Sequence, residues 1–115
     1  MGSRARALPA PPNAVFEDLI DPARQPVRPW LTLLADETPP GVLTVEPGVR
    51  VVWTSIWPRR PDARIEFELT PHRGGTTVAW LIRVDGDTPD DSLAGHMRKR
   101  INELVFANLR YTYGQ

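Results

Sequence analysis

The sequence has no cysteine, a single lysine, Lys99, and two histidines, His72 and His96. Without cysteine the chain can form no disulfide, no thiolate nucleophile and no thiolate ligand for a metal ion. Two isolated histidines do not make a zinc site. The Asp85-Gly86-Asp87 segment has too few carboxylates for calcium and is typical of a turn. We therefore predict no metal site and no cofactor.

Charge of one sign and long apolar runs are also missing. Fourteen basic residues balance fourteen acidic ones, so the formal net charge is zero and nothing indicates a nucleic-acid partner or an acidic membrane surface. No apolar run approaches the ~20 residues of a membrane span, and we expect no membrane insertion. No apolar segment follows the charged residues 1–6, so no secretory signal is predicted and the expected location is cytoplasmic.

The chain does contain enough apolar material for one core. Hydrophobic residues make up 41% and charged residues 24% of its 115 positions, close to the average of globular domains. This length fits a single domain, and we expect residues 1–115 to form one. The thirteen prolines fall between the apolar runs, which indicates turns.

Period-2 alternation of apolar residues predicts a β-sheet. It is clearest over residues 64–70, where Ile65, Phe67 and Leu69 share one face. Turn-sized gaps between the last four predicted strands favour an antiparallel arrangement. The five predicted strands cover residues 3–8, 42–45, 50–57, 64–70 and 76–84.

Helical periodicity is found near both ends of the chain. An apolar face over residues 15–20 predicts a short helix capped by Asn13, and a second short helix or turn fits before Trp30. Residues 90–111 repeat apolar side chains at i, i+4 and i+8, which predicts a helix about 30 Å long. One long amphipathic helix against one antiparallel sheet is an α+β arrangement.

Three segments carry a resemblance to a known superfamily. They are residues 12–22, PNAVFEDLIDP, followed by Trp30; residues 49–53, VRVVW; and residues 69–78, LTPHRGGTTV. In this order and spacing they resemble the START/polyketide-cyclase superfamily, also called SRPBCC or helix-grip. The resemblance implies an antiparallel sheet of about five strands wrapped on a long C-terminal helix, with one or two short N-terminal helices.

The resemblance also implies a range of functions. Superfamily members include lipid carriers, aromatic-polyketide cyclases, hormone receptors and chaperone activators, so the fold alone does not determine the function. Members carry an extra strand pair where this chain has only residues 34–46. We therefore expect an abbreviated sheet and a smaller or more open pocket.

Six residues are the candidates for a ligand-binding site. Three aromatic residues are expected on neighbouring strands facing the long helix, and two apolar residues on the helix itself. The sixth, Trp30, follows the short N-terminal helix in sequence. Aromatic walls suit a flat apolar ligand, whereas the alternative is that the same side chains fill the core. The six are Trp30, Trp53, Phe67, Trp80, Met97 and Ile101.

The sequence contains no recognisable catalytic motif, and catalytic residues stay unassigned. His96, Arg100 and Glu103 share a face of the long helix that would either border a pocket or be its solvated side. Arg83 would either reach a ligand or point outward. We therefore rank a small-molecule binding module first, an enzyme of the polyketide cyclase or dehydratase kind second, and a structural or interaction domain with a filled core third.

The predicted strand 42–45 lies where the superfamily's extra strand pair is missing. An uncovered edge or an open pocket mouth favours self-association, and zero net charge offers no repulsion between copies. We expect a homodimer, joined at this edge or across the pocket mouth. In the alternative, residues 34–41, with Pro39 and Pro40, fold over the edge and shield it.

Overall fold

A five-stranded antiparallel sheet packs against a long C-terminal helix in the computed structural model, which describes residues 1–23 and 29–114. The strand order is β1-β5-β4-β3-β2, so β1 and β2 form the two edges. This confirms the predicted α+β helix-grip class. The strands are β1 (Ser3–Leu8), β2 (Val42–Glu46), β3 (Arg50–Thr54), β4 (Arg64–His72) and β5 (Gly75–Arg83).

The C-terminal helix covers residues 91–112 in three consecutive parts. It begins as α2 (Asp91–Ile101), widens to π-helical geometry over Asn102–Leu109 and ends in the short α3 (Arg110–Thr112). The carboxylate of Asp90 caps it by accepting a hydrogen bond of 2.8 Å from the Leu93 amide. Its buried face meets the sheet, as the apolar period predicts.

The register of the sheet places large apolar residues on the face toward the helix. Phe67 lies opposite Val51 on one side and Trp80 on the other, and Trp53 lies opposite Ile65. Directly opposed residues in antiparallel strands share a face, so these side chains form one layer. The predicted alternation of β4 is confirmed.

The short N-terminal helix, α1 (Pro12–Ile20), begins two residues earlier than predicted. Pro11 is the N-cap residue and Pro12 the first helical residue, where a missing N–H costs nothing. Asn13 therefore lies inside the helix and is not its cap. The second short helix expected before Trp30 falls partly on residues 24–28, outside the described residues; residues 29–34 are not helical.

The predicted strand 50–57 is too long, because β3 ends at Thr54. The Ser55 hydroxyl accepts a hydrogen bond of 2.9 Å from the Trp57 amide, which turns the chain away from the sheet. Trp57 is buried, but it does not lie on a strand face with Trp53. Sequence alternation alone could not detect this turn.

Candidate functional site

The six candidate ligand-binding residues come together in one apolar cluster between sheet and helix. Each is at most 2% exposed. The rings of Trp30 and Trp53 stack at a centroid distance of 5.9 Å, and Trp53 meets Phe67 edge-on at 4.8 Å. Trp53 is therefore in direct contact with both Trp30 and Phe67, in favourable geometries.

Two of these tryptophans use their indole N–H groups to hold neighbouring elements. Trp53 Nε1 donates to the Leu19 carbonyl of α1 at 2.8 Å, and Trp80 Nε1 donates to Asn102 Oδ1 of the C-terminal helix at 3.0 Å. Each bond satisfies a polar atom that would otherwise be costly to bury. Trp53 and Trp80 thus join the sheet to both helices.

Trp30 differs from Trp53 and Trp80 because its buried indole N–H has no hydrogen-bond partner among the described residues. The residue lies outside regular secondary structure, in a segment held to the C-terminal helix through its backbone: Asn108 Nδ2 donates to the Trp30 carbonyl at 3.2 Å. An unpaired buried donor costs about 1–3 kcal/mol. Trp30 is therefore the candidate residue with an unused polar group.

A buried ion pair that sequence reasoning missed joins Arg100 to Glu37. Arg100 Nε and Nη2 each lie 2.9 Å from a Glu37 carboxylate oxygen, and Nη2 also donates to the Thr32 carbonyl at 2.9 Å. Burial alone would raise the pKa of Glu37. Hydrogen bonds from Arg100 and the Leu34 amide outweigh it and hold that pKa below its usual value.

This pair corrects part of the helix-face interpretation. Arg100 is buried, not solvated, although Glu103 accepts a further bond from its Nη1 at 3.2 Å. His96 is half-buried and lines a separate surface depression with Asp36 and Arg59. The three residues do not border the aromatic cluster as one catalytic set.

Arg83 points away from the aromatic cluster, onto the outer face of the sheet. It forms an ion pair with Glu66, which also pairs with Arg50. Burial would raise the pKa of Glu66, but hydrogen bonds from both arginines lower it overall. Arg83 therefore matches the outward-facing alternative.

A surface groove of about 440 Å³ opens along the seam between β1 and the C-terminal helix. We call it the seam groove. It is rich in basic side chains and has an aromatic ring in its wall. Its lining residues are Arg4, Arg6, Gly95, Arg98, Lys99, Asn102, Glu103, Phe106 and Ala107.

Residues 1–23 and 29–114 hold no group of three or more His, Cys, Asp or Glu side chains arranged to bind a metal ion. The helices in this part of the chain include none with the length and hydropathy needed to cross a membrane.

Comparison with known proteins shows similarity in fold. No protein-family model and no curated protein matches the chain. Among solved structures, CalU16 from Micromonospora echinospora matches with a TM-score of 0.63 and 17% identity, over 90% of this chain and 73% of CalU16. The Aha1 dimer from Colwellia psychrerythraea matches with a TM-score of 0.65 and 15% identity, over 91% of this chain and 90% of Aha1.

A third match is DynU16, from the dynemicin biosynthetic locus. Its TM-score is 0.67 at 20% identity, and the alignment covers 97% of this chain but only 46% of DynU16. The five-stranded antiparallel sheet and C-terminal helix of this chain match the fold of these helix-grip neighbours. At such low identity the matches establish the fold, and function has to be argued from the residues themselves.

Proposed function

We propose that the protein is a small-molecule binding module that holds an apolar or aromatic ligand between the sheet and the C-terminal helix. The observation that carries this proposal is the buried indole N–H of Trp30, which lies in an aromatic cluster and has no partner in residues 1–23 and 29–114. A ligand with a hydrogen-bond acceptor would satisfy that donor, and its rings would replace the contacts between Trp30 and Trp53.

Trp30 is the side chain that would move to admit the ligand. Trp53, Phe67 and Trp80 project from strands that are paired on both sides, whereas Trp30 belongs to a non-helical, unpaired segment. Moving a residue of such a segment disrupts fewer backbone hydrogen bonds than moving a strand. The remaining candidate residues, Met97 and Ile101, would then contact the ligand from the helix.

A pair of ligands that match in shape tests this proposal. 2-Acetylnaphthalene carries a ketone acceptor and 2-ethylnaphthalene does not. We expect the native protein to bind the ketone about five- to ten-fold more tightly, as one additional hydrogen bond predicts. Trp30→Phe should abolish this preference, because it removes the indole donor and keeps an aromatic ring.

Trp53→Phe is the matched control. Both tryptophans are fully buried, and the two substitutions remove the same atoms, but the N–H of Trp53 is already bonded to Leu19. Trp53→Phe should therefore leave the preference for the ketone intact. If neither naphthalene alters the tryptophan fluorescence or the thermal transition of the native protein, the core is filled and the binding proposal fails, which leaves a structural or interaction domain.

No specific observation favours the enzyme alternative. A polyketide cyclase or dehydratase would need an acid or base group at the aromatic cluster. His96, the single candidate that the sequence offered, lies in another depression with Asp36 and Arg59. Binding is therefore placed ahead of catalysis.

A homodimer through β2 is the second part of the proposed function. Val42, Leu43 and Val45 are 39–52% exposed, although they belong to a strand. Residues 38–41 do not cover this strand: Thr38 and Gly41 bond to the backbone of Ile56 and Thr54 instead. The outer edge of β2 is thus an apolar strand edge that a second copy could pair with.

The sequence of β2 suits antiparallel pairing with itself. If two copies meet at Thr44, Leu43 of each lies opposite Val45 of the other, and apolar residues pair on both sides of the two-fold axis. Because the contact is small, we expect a dissociation constant on the order of micromolar. One solved neighbour of the same fold is itself described as a dimer.

Sedimentation equilibrium tests the dimer. The native protein should approach twice its 12.9 kDa mass at concentrations above about 10 μM. Leu43→Lys with Val45→Lys should return it to a monomer, because four lysines would then face each other across the axis. The matched control, Leu34→Lys with Val49→Lys, changes two exposed apolar residues outside β2 and should still dimerise. A native protein that stays monomeric would contradict this part of the proposal.

A further inference from the structure

The seam groove lies at the sheet edge opposite β2 and has a distinct chemical character. The alternation of β1 places Arg4 opposite Trp80 and Arg6 opposite Val78, so both arginines are on the sheet face that carries the helix. Both are exposed because β1 is an edge strand. Their guanidinium groups therefore line the seam and are not in the core.

The C-terminal helix supplies the other wall. Arg98, Asn102 and Phe106 follow each other at intervals of four residues, which places them along one side of a helix. The π-helical geometry begins at Asn102, inside this wall. Departures from α-helical geometry of this kind occur frequently at functional sites.

The positive charge of the groove is only partly compensated. Four cations and one carboxylate, Glu103, line it, although the whole chain is neutral. Among the residues that the structure describes, Arg4, Arg6 and Arg98 form no ion pair. The arginines that do pair with carboxylates lie elsewhere: Arg50, Arg60, Arg83 and Arg100. Like charges brought this close repel one another, and an anion would relieve that repulsion.

Two uncharged residues of the groove indicate which class of anion would fit it. The Trp80 indole donates to Asn102 Oδ1 and so orients the amide, which leaves Asn102 Nδ2 without a protein acceptor in the described part of the chain. Phe106 is half-buried and belongs both to the groove wall and to the margin of the apolar core. The groove thus combines several cationic donors, an oriented amide donor and an aromatic ring.

We propose that the seam groove binds a small aromatic anion, a planar ring that bears a carboxylate or phosphate group. The anionic group lies between the Arg4 and Arg6 side chains of β1 and Arg98 of the helix, because guanidinium groups match carboxylate and phosphate oxygens in pairs. The ring packs on Phe106. This site is separate from the proposed interior site, because none of the six interior candidate residues lines the groove.

Binding of 2-naphthoate, 2-naphthyl phosphate and the neutral analogue 2-naphthamide tests the proposal by isothermal titration at low salt. We expect at least one anion to bind about ten-fold more tightly than the amide. Arg4→Gln with Arg6→Gln should weaken anion binding about ten-fold or more, and Phe106→Leu should weaken it about three-fold or more. The anion that binds more tightly identifies the natural acidic group as carboxylate or phosphate.

A charge-matched double variant controls for net charge. Arg73→Gln with Arg110→Gln removes two positive charges from a different groove and should change anion affinity less than about two-fold. Trp30→Phe should leave anion binding unchanged, which separates this site from the interior one. Equal affinity for the amide and both anions, no anion binding at all, or equal losses in the two double variants would each overturn the proposal. Arg4 and Arg6 are exposed, and circular dichroism should confirm that the variants fold.

Discussion

The two edge strands of the sheet are both exposed to solvent but differ in chemistry and in how they are held. β1 pairs with β5 without interruption from Ser3 to Leu8, whereas the pairing of β2 with β3 shifts register between Val42 and Thr44. β1 carries arginines on its helix side, and β2 carries valine and leucine. Exposure alone therefore does not decide whether an edge recruits another strand.

The two edge strands differ mainly in charge. A second copy approaching β1 would bring four arginines together, which repel. A copy approaching β2 would meet apolar side chains and free backbone groups. One edge of the same sheet is thus suited to binding an anion and the other to pairing with a strand.

The largest effect is expected when this difference is removed. Arg4→Val with Arg6→Val would give β1 the apolar character of β2, so each molecule would have two strand edges able to pair. Assembly would then no longer close at the dimer, and we expect high-mass or fibrous species in light scattering. The matched variant Arg4→Gln with Arg6→Gln should not form them, since glutamine adds no apolar surface. A double valine variant of unchanged mass would show that charge does not protect β1.

Removing the Glu37–Arg100 ion pair tests whether this pair stabilises the part of the molecule next to β2. Glu37→Gln leaves the Arg100 guanidinium buried without its counter-charge, and we expect a loss of about 3–5 kcal/mol in the free energy of unfolding. Asp36→Asn, a neighbouring exposed carboxylate, should change stability by less than about 0.5 kcal/mol. Denaturant titration measures both.

Hydrogen exchange locates that loss within the fold. The Thr38 amide donates to the Ile56 carbonyl and the Thr54 amide to the Gly41 carbonyl, so both hydrogen bonds hold the segment that joins Glu37 to β2. These two amides should exchange faster in Glu37→Gln, with a smaller change in β1. A uniform change across both edges would contradict a local role for the pair.

Acid stability gives a smaller and more specific effect. Because the folded-state pKa of Glu37 lies below its usual 4.5, the unfolded chain takes up this proton first as the pH falls. The contribution is complete above the unfolded value and is lost as the pH falls through the folded one. The native protein should lose more stability below about pH 4.5 than Glu37→Gln does. Glu66 also has a lowered pKa, but it is present in both proteins and contributes equally to each. If the two proteins lose the same stability at low pH, Glu37 is not the group responsible.

The smallest effect on stability is expected from a change at the N-terminus of the C-terminal helix. Asp90→Ala removes the cap from the Leu93 amide, and we expect a loss of about 1 kcal/mol. Asp91→Ala, one residue inside the helix, is the control and should cost less. Neither variant should alter dimerisation or anion binding, and a change in either would mean that the helix terminus controls an edge directly.

Local patterns in the sequence were sufficient for the sheet and the long helix. Strict alternation through Ile65, Phe67 and Leu69 predicted a face that the register confirms, because one-residue slips would expose that face. The alternation could not show that the chain turns at Ser55, since a side-chain hydroxyl directs that turn. Burial of the six candidate residues was predictable, but their close packing depends on tertiary contacts.

The polar features of the site were not accessible from the sequence. Glu37 lies in a loop without periodicity, 63 positions from the arginine that it meets. Arg100 carries a charge, and helical spacing alone does not distinguish a face that borders a pocket from a solvated one. The seam groove requires β1 to pair with β5 next to the helix, and that adjacency follows from topology and not from local alternation.

The only lysine of the chain lies in the wall of the seam groove. The Lys99 side chain is 77% exposed, and its amine is 3.9 Å from Glu103. Because Lys99 is the only side-chain amine in the sequence, labelling that amine would place a dye beside the groove without any engineered residue. The signal of a dye on Lys99 would then report directly whether the groove is occupied.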